Sequence, residues 1–175
     1  MSIQANYSRR YAEIKAEEVL KQFSSQQFPV DPLDIANRNN IKVYMADFPD
    51  PKISGLIKKD GEGTSIYVKD IKYSPRVRFT LAHELGHYFM HLNDSSSHHF
   101  IDDDKVLYRN TEDSIHMNDN KEIEANQFAT ALLMPRDEVI RSYELGMDVY
   151  DMAVKFNVSY RSMEIRLMDL GIEGF

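Results

Sequence analysis

Apolar positions set a helical period at the start of the chain. Ala12, Ala16, Val19 and Phe23 recur three or four residues apart, with Lys and Glu between them, and predict a helix over residues 8–23. Phe28-Pro29-Val30-Asp31-Pro32 breaks it. Asp31 suits an N-cap and Pro32 a first helical position, which opens a short helix to about Asn39. The period then changes to two: Ile41, Val43 and Met45 alternate with polar residues and predict a half-buried strand. Residues 53–58 and 65–69 are further strands, and Lys59-Asp60-Gly61-Glu62-Gly63 joins them as a hairpin. Ser74-Pro75 repeats the cap-and-proline signal and starts a helix running to about Leu92. Its apolar residues, Val77, Phe79, Leu81, Ala82, Leu85, Tyr88, Phe89 and Met90, lie on several faces, so the helix is largely buried. Residues 93–119 are polar and acidic, without a period, and longer than an ordinary connection. A helix follows over about Asn120 to Met134, with Ala125, Phe128, Ala129 and Leu132 as its stripe. The last forty residues read as helices, with turns near Gly146, at Asn157-Val158-Ser159 and at Gly171.

These elements predict an α+β fold: a small, mostly antiparallel sheet beside a helical bundle. Residues 1–135 are expected to form the core and 136–175 a helical segment packed on it. No stretch approaches the roughly 20 apolar residues of a spanning helix. No apolar run precedes the first charges, which argues against a secretory leader and for a cytoplasmic protein. The absence of cysteine removes disulfides, thiolate ligands and a cysteine nucleophile. A formal net charge of -7 repels phosphate backbones, so nucleic acid is not the expected partner.

Residues 83–87 read His-Glu-Leu-Gly-His, within the helix expected from Ser74-Pro75. Two histidines four apart on a helix differ by about 40° in direction and can share one metal ion. Glu84 can then take a proton from a water that the ion acidifies. The pattern alone arises by chance roughly once in 70 chains of this composition, so it needs a third ligand. Without cysteine that ligand is His, Asp or Glu. Glu124 is the expected one, because Ala125 and Ala129 let its helix approach closely. Glu122 reads as a solvated carboxylate at the helix start. His91 is the runner-up, but lies about 80° and roughly 12 Å from His83 on a straight helix, which suits a substrate-facing role better.

Three blocks together, Arg78-Phe79-Thr80-Leu81-Ala82-His83-Glu84-Leu85-Gly86-His87, Glu122-Ile123-Glu124-Ala125-Asn126-Gln127-Phe128-Ala129 and Leu132-Leu133-Met134-Pro135, resemble the ImmA/IrrE family of metallopeptidases. The resemblance implies a zincin-like fold, a zinc ion on His83, His87 and Glu124, and Glu84 as general base. It also implies a regulatory substrate, a helix-turn-helix repressor of a mobile element or stress response. The alternative is a metal-stabilised module that relieves a repressor by contact. A His/His/Glu set also admits Mn2+ or Fe2+. Tyr88, His91, Arg78 and His116 are equal candidates for stabilising an oxyanion.

The acidic stretch holds Asp102-Asp103-Asp104 with His98, His99 and His116, and reads as a surface loop that flanks the cleft or as plain solvated chain. Residues 151–167 resemble a helix-turn-helix, with Ser159 capping the second helix and Ala153, Phe156, Val158, Met163 and Leu167 as core. Residues 136–175 carry 5 Lys+Arg against 8 Asp+Glu. A recognition helix needs a basic footprint, so this segment is expected to pack or to dock a protein rather than DNA.

Overall fold

The structure, a computed structural model, describes residues 3–23, 27–50, 53–69, 74–92, 118–172 and 174–175. The element order is α1 (Ile3–Phe23), α2 (Pro32–Arg38), β1 (Lys42–Met45), β2 (Gly55–Asp60), β3 (Gly63–Val68), α3 (Pro75–His87), a π-helical turn (Tyr88–Leu92), α4 (Asn118–Leu133), α5 (Arg136–Glu144), α6 (Val149–Phe156) and α7 (Tyr160–Asp169).

Local chemistry explains most boundaries. Asp31 accepts a hydrogen bond from the Leu33 amide at 2.9 Å, with Pro32 opening α2. Ser74 accepts from the Val77 amide at 3.3 Å, with Pro75 opening α3. Helix α6 ends at Asn157, whose φ of 50° is left-handed, and Ser159 accepts from the Ser162 amide to cap α7. A short-side-chain amide tolerates that conformation better than most residues do.

The sheet is mixed rather than mostly antiparallel. Its order is β1-β3-β2, with β1 parallel to β3 and β2 antiparallel to it. The hairpin is as expected, but β1 returns to the sheet as a parallel edge. Hydrophobic alternation fixes which face of a strand is buried, not the direction of its neighbour. Ile57, Ile66 and Val68 bury their side chains. Met45 does not: it is 63% exposed, at the end of an edge strand.

One continuous core runs from Ala12, Ala16 and Val19 of α1 through Leu81 and Leu85 of α3 and Phe128 and Leu132 of α4 to Met152, Phe156 and Met163. Helices α3 and α4 approach closely at Gly86. A Cβ there would lie 3.0 Å from both Cα and the carbonyl oxygen of Ala125, so a glycine facing an alanine sets the distance between α3 and α4. Two buried arginines bind the last helices to the rest. Arg78 of α3 donates to the Val30 carbonyl at 2.7 Å and to the Asn157 carbonyl at 3.3 Å, at the negative end of α6. Arg166 of α7 donates to the Met134 carbonyl at 2.9 Å and grips both carboxylate oxygens of Glu13 in α1.

Candidate metal centre

Three buried ionisable side chains of α3 cluster within two turns: His83, Glu84 and His87 are 0%, 2% and 3% exposed. Groups of this kind are costly to bury without partners. His83 Nδ1 lies 2.9 Å from Asn126 Oδ1 of α4. An amide oxygen only accepts, so His83 donates through Nδ1, which turns its Nε2 toward the other groups of the centre.

That Nε2 meets two further groups. It lies 3.0 Å from His87 Nε2 and 3.3 Å from Glu122 Oε2, while Glu122 Oε1 is 3.1 Å from His87 Nε2. Tetrahedral nitrogen and oxygen ligands about 2.0–2.1 Å from one ion stand about 3.4 Å apart. The three side chains therefore fit a single divalent cation, and they are the group of metal-binding type among the described residues. Burial pushes the Glu122 carboxyl up, but hydrogen bonds from His83 and His87 and their charges outweigh it and hold it below the usual carboxylate range. The carboxylate is thus already anionic where a cation belongs. His87 Nδ1 is buried with no hydrogen-bond partner among the described residues, so its ring is oriented by packing and by Nε2 alone.

Glu122 stands where Glu124 was expected. Glu124 Oε2 instead lies 3.7 Å from His91 Nε2. The two glutamates flank the buried stripe of α4 from opposite sides, being about 200° apart on the helix, so the stripe alone does not choose between them. The choice comes from the partner helix. Glu122 and Asn126 form an i,i+4 pair on one flank, and His83 and His87 form an i,i+4 pair facing them. Asn126 and Glu122 are the two site residues that sequence reasoning missed, and this matched spacing is the signal that could have found them.

His91 falls in the π turn, its ring centroid 5.7 Å from that of His87, and its Nε2 donates to the Lys121 carbonyl at 3.4 Å. Its pKa is pushed down to about 4, first by burial and then by the neighbouring His87. It is a neutral side chain beside the centre rather than part of the triad. Tyr88 lies in the same turn, with its phenol pushed up by burial. Arg78 is committed to backbone carbonyls one and a half turns before His83. His98, His99, His116 and the acidic run 102–104 lie outside the described residues.

Glu84, next to His83 on α3, reaches toward the start of β2. A Cβ on Gly55 would lie 2.7 Å from Glu84 Oε1 and 2.5 Å from Thr80 Cγ2. Only glycine at the start of β2 leaves room for that carboxylate. A cleft of about 700 Å³ between α1, α4 and α7 has Asn126 in its wall.

The sequence profile of the peptidase M78 family, described as an IrrE N-terminal-like domain, matches residues 36–168. The chain belongs to this family. The match spans both histidines, Glu84, Glu122, helix α6 and nearly all of α7. It makes the chain a peptidase of the ImmA/IrrE type, and its helices with a small sheet agree with that fold. No curated protein matches the chain. No helix among the described residues is long and apolar enough to cross a membrane.

Proposed function

We propose that this M78-family peptidase is a zinc-dependent endopeptidase that cuts a cytoplasmic regulatory protein. The observation that carries the reading is the convergence of His83 Nε2, His87 Nε2 and the Glu122 carboxylate within hydrogen-bonding distance of one another, with Glu84 on the same helix. His83, His87 and Glu122 would hold the ion, and Asn126 would fix the tautomer and direction of His83. When bound, the ion polarises the scissile carbonyl and lowers the pKa of a water.

The protein's own groups then handle the peptide and the proton. Glu84 takes the proton from the attacking water and delivers it to the leaving amine nitrogen. Burial keeps that carboxylate away from bulk water, which would otherwise weaken its basicity toward a bound nucleophile. Strand β2 is a sheet edge among the described residues and begins with Gly55, beside Glu84. An extended peptide pairing with that edge would bring its backbone to the carboxylate. The helix-turn-helix repressor proposed as substrate rests on the family resemblance, and the chain's charge of -7 suits a basic, DNA-binding target.

The test is co-expression with a neighbouring helix-turn-helix regulator, comparing wild type with Glu84→Gln. Cleavage lost while zinc is retained supports hydrolysis. Relief of repression by an uncleaved regulator in both proteins would replace it with action by contact.

A further inference from the structure

Helix α6 carries apolar side chains on its outward side as well as its inward one. Val149, Met152, Ala153 and Phe156 are buried and fill the core of the last three helices. On the outward side, Tyr150 is 66% and Val154 62% exposed. These two are i,i+4 neighbours and form one stripe. Leu145, just before α6, is 74% exposed and Tyr160, just after it, 51%. Large apolar side chains left exposed side by side on a helix mark an interaction surface.

The cations at the two ends of the stripe are paired: Arg141 lies 3.6 Å from Glu138 and Arg161 3.2 Å from Glu164, which leaves acids along its middle. From Ser142 to Tyr160 the acids are Glu144, Asp148 and Asp151, all exposed. The one cation in that stretch, Lys155, is turned to Glu138 Oε1 at 2.7 Å and Ser142 Oγ at 2.9 Å. An apolar stripe with an acidic rim rejects phosphate backbones. It also disfavours a second copy of the chain, because a two-fold contact would set the same acids against each other.

We propose that the outward face of α6 is a docking surface for an amphipathic, lysine- and arginine-rich segment of a partner protein. Apolar side chains of that segment cover Tyr150 and Val154, and its cations face Glu144, Asp148 and Asp151. The surface goes beyond the hydrolytic reading, and its test reads binding alone, so either can fail without the other.

The experiment titrates the isotope-labelled full chain with two synthetic helical peptides that share a leucine face, one bearing lysines and the other glutamates on the polar face. The lysine peptide is expected to shift the amide resonances of residues 144–160 and to bind at least about tenfold more tightly than the glutamate peptide. Tyr150→Ser with Val154→Ser should cut that affinity by about tenfold or more while leaving the melting temperature in place, since both side chains face solvent. Glu144→Lys with Asp151→Lys should weaken the lysine peptide without moving the fold. Equal binding of the two peptides, or shifts confined to other helices, would overturn the proposal. So would a wild-type dimer in sedimentation that Tyr150→Ser dissociates, which would give the face to a second copy.

Discussion

Two glutamates separated by one residue have different work at this centre. Glu122 faces both imidazoles and Glu124 faces His91. Glu122→Gln is therefore expected to lower zinc affinity by about tenfold to a hundredfold or more, while Glu124→Gln leaves it within a few-fold. Competition with a chelating dye measures both. Asn126→Ala removes the acceptor that orders His83 and should cost about ten- to a hundredfold in the same assay. His91 gives a pH signature in the metal-free protein. Its folded pKa of about 4 lies below the ordinary 6.5, so the unfolded chain takes up the proton first. Stability then falls as pH drops from about 6.5 to about 4, by at most roughly 3 kcal/mol, and this term is absent above that window. The Glu122 contribution is separate: its depressed pKa gives stability that is present above its unfolded value and lost as pH falls below it. Denaturant midpoints of wild type and His91→Gln across pH 4–7 check the assignment, and His91→Gln should flatten the upper part of the curve.

Glycine placement sets how the elements approach one another. Gly86→Ala adds a methyl 3.0 Å from the Ala125 backbone. Alanine is worth about 1 kcal/mol more than glycine in a helix interior, but overpacking costs typically 1–3 kcal/mol. The backbone of α4 is not a flexible side-chain end, so the clash is expected to win, lowering stability by about 1–2 kcal/mol and zinc affinity with it. Thermal melts and metal titration read the two effects. Gly55→Val should displace Glu84 and abolish cleavage, while zinc binding, which Glu84 does not support, changes little.

Element chemistry was legible because it is local. Ser74-Pro75, Asp31-Pro32 and Ser159 announce their helices by caps that act within three residues. The buried stripe Ala125, Phe128, Ala129 and Leu132 was legible from its period. His83, His87 and Glu84 were legible because one helix carries all three. The choice between Glu122 and Glu124 was not, since it depends on which flank of α4 meets α3. Nor was the parallel pairing of β1, which depends on a connection rather than on side-chain alternation.

Over the whole molecule, one core and two buried arginines join α3 and α1 to α6 and α7. Metal binding at α3 and α4 should therefore stabilise the entire chain. With zinc at about a thousand times its dissociation constant the gain is about 4 kcal/mol, which at this size raises the melting temperature by roughly 10 °C. Chelation should remove that increment in one cooperative transition. Two separate transitions would show that residues 136–175 melt independently. The family to which the chain belongs makes it a peptidase. The side chains that would do the work lie on two helices in contact, and the rest of the fold holds those helices at a glycine's distance.

The most direct test is anomalous diffraction at the zinc edge from crystals of the zinc-loaded protein. The account predicts one strong peak, about 2.0–2.1 Å from His83 Nε2, His87 Nε2 and a Glu122 oxygen. A peak coordinated by Glu124 and His91, or no peak between the two imidazoles, would contradict it.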